Sequence, residues 1–140
     1  MCIRDRHKSV DIAKRQIGAG AVGVCCAKIG EAEALAAGGI NGILVTSPVA
    51  APRAIERLAA LAATAEGLIA VVDHPGVAEQ LQSALAAANA NLDVIIDIDP
   101  GIARTGVASA EAAVTLARVC LLYTSPSPRD RTRSRMPSSA

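Results

Sequence analysis

Asp93-Val94-Ile95-Ile96-Asp97-Ile98-Asp99-Pro100-Gly101-Ile102-Ala103-Arg104-Thr105-Gly106-Val107 is the stretch whose reading decides the fold. Its first seven residues alternate. Val94, Ile96 and Ile98 share one face, and Asp93, Ile95, Asp97 and Asp99 share the other. In a parallel strand covered by helices, the apolar face suits the helix layer and the acidic face suits a barrel interior or a site. The glycines that follow allow a tight turn, which carries Arg104 back over the strand end. Two readings of Arg104 follow: it serves a ligand at the strand mouth, or it neutralises Asp97 or Asp99 in a structural ion pair.

Working outward, the same alternation of short apolar runs and amphipathic stretches recurs. Residues 10–18 read as a helix, 21–27 as a strand with a small Ala21, Gly23, Cys25 face, and 30–38 as a helix ending at Gly38-Gly39. A strand at 43–47 precedes a helix from Pro52, a good first-turn residue, to Ala65, with Ile55, Leu58 and Ala62 as its inner stripe. A strand at 68–73 precedes a helix over 76–88 that places Val77, Leu81, Ala84, Leu85 and Ala88 on one face. The strand at 93–99 and a helix starting near Ser109, a plausible N-cap, complete four strand–helix pairs. The fold class is therefore α/β, a partial (β/α)8 barrel of about four parallel strand–helix units, half of what closes a barrel.

The chain has 140 residues, 51% of them hydrophobic, enough for one core. With no Phe or Trp and one Tyr, that core must be built from Ala, Val, Ile and Leu. The lack of aromatics argues against a nucleic-acid stacking platform. No phosphate-loop or HExxH motif is present, and no apolar run is long enough to span a membrane. Adjacent Cys25 and Cys26 would point to opposite faces of a strand, which suits neither a zinc knuckle nor an ordinary disulfide, and a reducing cytoplasm is the expected location.

The net charge of +1 hides a split, because Arg4, Arg6, Arg129, Arg131, Arg133 and Arg135 lie at the ends and the body is mildly acidic. The stretch Met1-Cys2-Ile3-Arg4-Asp5-Arg6 and the run from Cys120 to Ala140 follow neither structural period. They read as non-native scars flanking a fragment, the tail disordered, rather than as a basic nucleic-acid arm; residues 7–119 are then the native body.

Four ordered segments carry a resemblance: Ala19-Gly-Ala-Val-Gly-Val24, Lys28-Ile-Gly-Glu-Ala-Glu-Ala-Leu35, Leu44-Val-Thr-Ser-Pro-Val49, and Asp97-Ile-Asp-x-Gly-x-x-Arg-Thr-Gly-Val107. Over residues 7–119 the chain resembles the alanine-racemase-like barrel domain of fold-type III pyridoxal-phosphate enzymes, most closely the D-threonine aldolase and D-serine dehydratase branch. The resemblance implies pyridoxal 5′-phosphate as cofactor and a small D-amino acid as substrate. It further implies a homodimer in the intact relative, with no nucleic-acid or membrane partner. The implied activity is retro-aldol cleavage of D-threonine to glycine and acetaldehyde. D-serine dehydration, racemisation and a non-catalytic pyridoxal-phosphate carrier are the alternatives.

In that family the Schiff-base lysine lies in a motif of the form H-x-K-x-H-K. His7-Lys8 match its last two letters, which puts the lysine at position 5, and position 5 is Asp5. An aspartate cannot form an imine, so no catalytic residue is assigned and the chain itself is expected to be inactive. Arg104 matches the family arginine that approaches the cofactor's phenolic oxygen. Asp97 and Asp99 are expected to hydrogen-bond the loop or orient Arg104, and the hydroxyls of Thr46 and Ser47 could reach cofactor or substrate, although Pro48 makes a plain turn an equal reading. Asp73-His74 reads as a helix cap ahead of an acid–base pair, and Lys28 as half of a solvated pair with Glu31. The resemblance places phosphate-binding loops and divalent-metal ligands in segments beyond this chain, so no metal ligand is assigned within it.

Overall fold

A computed structural model describes residues 9–122. Asp5, His7, Lys8, Cys2 and the basic tail, on which several of the expectations above fall, lie outside the described residues. The elements run α1 (Val10–Gly18), β1 (Val24–Cys26), α2 (Ile29–Ala37), β2 (Ile43–Val45), α3 (Pro52–Ala62), β3 (Ile69–Val72), α4 (Pro75–Ala87), β4 (Asp93–Ile96) and α5 (Ala110–Leu122). The four strands form one sheet in the order β1-β2-β3-β4, every pair parallel. Consecutive parallel neighbours joined through a helix are the repeating unit of a (β/α) barrel, so the partial barrel read from the sequence is the observed fold.

The helix side of the sheet holds the core. Val24 and Cys26, Ile43 and Val45, Ala70 and Val72 point the same way and pack with Ile55, Leu58, Ala59, Leu81, Leu85 and Leu116. The other side carries Cys25, Leu44, Val71 and Ile95, which are half-buried or exposed. Cys25 and Cys26 thus lie on opposite faces, and neither is in a disulfide. Pro52 and Pro75 each open a helix, where the missing N–H costs nothing. Ser109 Oγ accepts the N–H of Ala112 at 3.2 Å and so caps α5. That helix runs to Leu122, past the residue 119 boundary drawn from the sequence. Near its end, burial pushes the Cys120 thiol pKa up, in an apolar crevice shared with Leu81, Leu85 and Val94.

The strands are shorter than their apolar runs. Residues 21–23 lie outside β1 because Val22 is solvent-exposed and Gly23 lies directly against the Gly42 carbonyl, where an added Cβ would come within 2.1 Å of the oxygen. The close approach of these two backbones needs a residue without a side chain. At the other edge, β4 stops at Ile96, and the alternation continues only as an isolated bridge between Ile98 and Val107. The expected apolar face of β4 is correspondingly only partly covered. Ile96 packs against the core and Val94 reaches the crevice, but Ile98 stays exposed, because no strand flanks β4 on its outer side among the described residues.

Candidate active-site mouth

In a parallel sheet all C-terminal strand ends lie on one edge, and here that edge gathers Thr46 and Ser47 after β2, Asp73 and His74 after β3, and the 97–107 loop after β4. The loop is closed at its base by backbone hydrogen bonds. The Asp97 N–H donates to the Val72 carbonyl at 2.9 Å, Val107 N–H to the Asp97 carbonyl at 2.9 Å, and Asp99 N–H to the Val107 carbonyl at 3.0 Å.

Asp99 then organises the outgoing limb. Its Oδ1 accepts the N–H groups of Gly101, Ile102 and Ala103 at 3.0, 2.8 and 3.1 Å, and its Oδ2 also accepts Ala103 N–H at 3.0 Å. A carboxylate taking several amides is a charge-assisted cap that fixes a short turn. The turn puts Gly101 at φ 98° and Ala103 at φ 54°, both left-handed. The returning limb is held from the neighbouring strand, where Asp73 Oδ2 accepts the Gly106 N–H at 3.3 Å. Gly106 has φ 98°, and a Cβ there would meet the Asp99 nitrogen at 2.4 Å, so only glycine fits.

Arg104 sits exposed between these two clamps. Among the described residues it makes no ion pair with Asp97 or Asp99, so the structural-pair reading of its charge is corrected. The reason is local: Asp99 is committed to three backbone amides. Asp99 therefore holds the loop rather than orienting Arg104 by direct contact. The Asp97 carboxylate is half-buried and adds no ion pair to the loop.

The other candidates separate in the same way. Thr46 Oγ1 donates to the Cys26 carbonyl at 3.1 Å, beside the Thr46 N–H donating to the same oxygen at 2.8 Å, which ties the end of β2 to β1. Ser47 is half-buried at the same edge. His74 Nδ1 accepts the Gly76 N–H at 3.1 Å and caps α4, so Asp73 and His74 are not an acid–base pair. Lys28 is the exposed N-cap residue of α2, and Glu31 Oε2 accepts the Ala27 N–H at 3.1 Å. The resolved charge pair on this side is Arg57 with Glu33, whose carboxyl is held below its usual pKa chiefly by the Arg57 hydrogen bond. No cluster of three His, Cys, Asp or Glu able to hold a metal is found among the described residues, and no described helix is long and apolar enough to cross a membrane. The contact that sequence reasoning missed is Asp73 with Gly106; the two are 33 residues apart, and no local pattern links them.

The comparisons with known proteins agree with this layout. The chain is 42% identical over 113 residues to a 3-hydroxy-D-aspartate aldolase of Paracoccus denitrificans, covering 80% of this chain and 29% of that protein. It is 35% identical over 112 residues to a D-threonine aldolase of Arthrobacter sp., again covering 80% of this chain and 29% of the relative. The crystal structure of D-threonine aldolase from Filomicrobium marinum superposes with a TM-score of 0.78 at 39% identity, covering 81% of this chain and 30% of that one. The chain therefore spans under a third of the length of the relatives it matches. Residues 4–123 match the family described as alanine racemase, N-terminal domain, and with four consecutive parallel strands and an arginine loop at their C-terminal edge the chain belongs to that family.

Proposed function

We propose that this chain is the barrel portion of a pyridoxal-phosphate-dependent lyase that cleaves β-hydroxy-D-amino acids by retro-aldol chemistry, with D-threonine giving glycine and acetaldehyde. The observation that carries this reading is the similarity to two aldolases and to an aldolase crystal structure over the same four strand–helix units, which include the Arg104 loop. A second substrate is favoured by the higher identity to the 3-hydroxy-D-aspartate aldolase. The bond broken is the same Cα–Cβ bond, with glyoxylate leaving in place of acetaldehyde.

Pyridoxal phosphate, when bound, supplies an electron sink for the electrons of the broken bond. The described residues fit the noncovalent half of such a site. Arg104 offers a guanidinium with no carboxylate partner among the described residues, fixed on a clamped loop, and a positive charge so placed stabilises a phenolate or other anion without reorganising. Asp99 holds that loop, Asp97 lies at its base, and Thr46 and Ser47 line the same edge. The covalent half does not fit, because Asp5 occupies the position that the resemblance gives to the Schiff-base lysine. The chain by itself is accordingly expected neither to attach the cofactor nor to turn over.

The test is a chimera in which residues 9–122 replace the matching segment of the full-length Paracoccus aldolase, assayed with D-threonine and with 3-hydroxy-D-aspartate. Glycine together with the matching aldehyde is the expected product, and the preferred substrate identifies the side chain accepted. Racemisation without carbon–carbon cleavage, or ammonia release from D-serine as the main reaction, overturns the reading.

A further inference from the structure

The two clamps on the 97–107 loop differ in kind. Asp99 is part of the loop and acts on the residues that follow it, whereas Asp73 belongs to the end of β3 and reaches across to the returning limb. Between the last amide that Asp99 holds, Ala103, and the amide that Asp73 holds, Gly106, only Arg104 and Thr105 remain. A turn closed only upon itself could still pivot about its base at Asp97–Val107. The Asp73 contact removes that freedom by referring the loop to a neighbouring, well-packed strand, since Val72, one residue before it, is in the core. Asp73 is itself half-buried, and its neighbour His74 is occupied in capping α4, so the carboxylate approaches the loop from a fixed backbone.

We infer that Asp73 is a positioning residue for Arg104: by holding the Gly106 amide it fixes where the guanidinium stands over the sheet edge, and hence how well it meets an anionic aromatic ligand there. The inference rests on the reading of this edge as the cofactor site. Asp73 touches no ligand in this account and acts only through the loop. Its replacement should therefore be silent wherever Arg104 is already gone, which is not true of a residue that merely supports the fold.

The experiment uses the full 140-residue chain and 4-deoxypyridoxine 5′-phosphate, a cofactor analogue without the aldehyde, so that no lysine is required. Binding is read by NMR from the shift of the Arg104 Nε–H, or from the ligand resonances where the arginine has been replaced, and loop order from exchange of the Gly106 amide. Asp73→Ala should speed Gly106 exchange and weaken analogue binding, each by about tenfold, the equivalent of one hydrogen bond. The Gly76 amide, held by His74, should keep its exchange rate and show that α4 is intact. Asp73→Asn, which retains an acceptor oxygen, should restore both Gly106 exchange and binding to within about twofold of the original chain. Adding Asp73→Ala to Arg104→Ala should weaken binding no further. Additive losses, or unchanged Gly106 exchange in Asp73→Ala while the original chain binds the analogue, overturn the positioning role alone. Absence of any Arg104 response in the original chain overturns the cofactor reading of the edge and the inference with it.

Discussion

An interior strand of this sheet, β2, and its edge strand, β4, are built largely from the same residue types and meet different fates. In β2, Ile43 and Val45 are 1% and 0% exposed; in β4, Val94, which faces the same way, is 36% exposed. Both strands are largely aliphatic and both are parallel, but β2 has a strand on each side and helix α2 against it, whereas β4 pairs on one side only and is met by α5 near a crevice that α4 also lines. Burial is thus a property of how many neighbours a strand has been given. The proposed cofactor site lies beside this exposed strand, because the backbone that leaves β4 forms the Arg104 loop.

The largest effects should come from breaking the packed end. Leu58→Ala removes a fully buried side chain at the α3–sheet contact and is expected to cost about 2–5 kcal/mol in denaturant unfolding, while Ile95→Ala on the open face should cost less than about 1 kcal/mol. Equal losses at the two positions would mean that β4 is covered as well as β2 is.

Next in size is the function of the open end. In the aldolase chimera, Arg104→Ala should lower kcat/KM by the equivalent of about 2–4 kcal/mol if the guanidinium is an electrostatic partner of the cofactor. An unchanged kcat/KM would reduce the loop to a turn.

The exposed β4 edge also predicts behaviour in solution. With Ile95, Ile98 and Ile102 open to solvent beside unpaired backbone, the chain should self-associate, as light scattering over a concentration series can show, and Ile95→Lys should reduce that association. A monodisperse, cooperatively melting monomer would show that this edge is blunted by some other means.

The smallest effect belongs to the surface pair on the packed side. The Glu33 carboxyl is held below its ordinary pKa by Arg57, so its contribution to stability is present above the unfolded-state value near 4.5 and is lost as pH falls through the lower folded-state value. Because both side chains are well exposed, Arg57→Ala should barely move the unfolding midpoint at neutral pH, and added salt should erase the difference.

What the sequence by itself determined was everything written in a short period or a local cap. The helical stripes of α3 and α4, the prolines that open them, Ser109 at the start of α5, and the order of four apolar runs all repeat over a few residues, so hydrophobic spacing was enough to place them and to imply a parallel sheet. The glycines of the 97–107 stretch likewise announced a tight turn, and the Arg104 motif was legible because its spacing is local. Strand ends were not, since a ladder lasts only as long as both partners run side by side: Ala21–Gly23 are apolar or small, yet they diverge where Gly23 meets Gly42. Only the tertiary structure decided which charges meet. Asp97, Asp99 and Arg104 are close enough in sequence to suggest an ion pair, but backbone amides claimed Asp99 and Arg104 pairs with neither carboxylate, while Asp73, 33 residues from Gly106, became the loop's second anchor. A carboxylate binds whatever donors the folded backbone presents at hydrogen-bond distance, and that geometry exists only after β3 and β4 have been laid side by side.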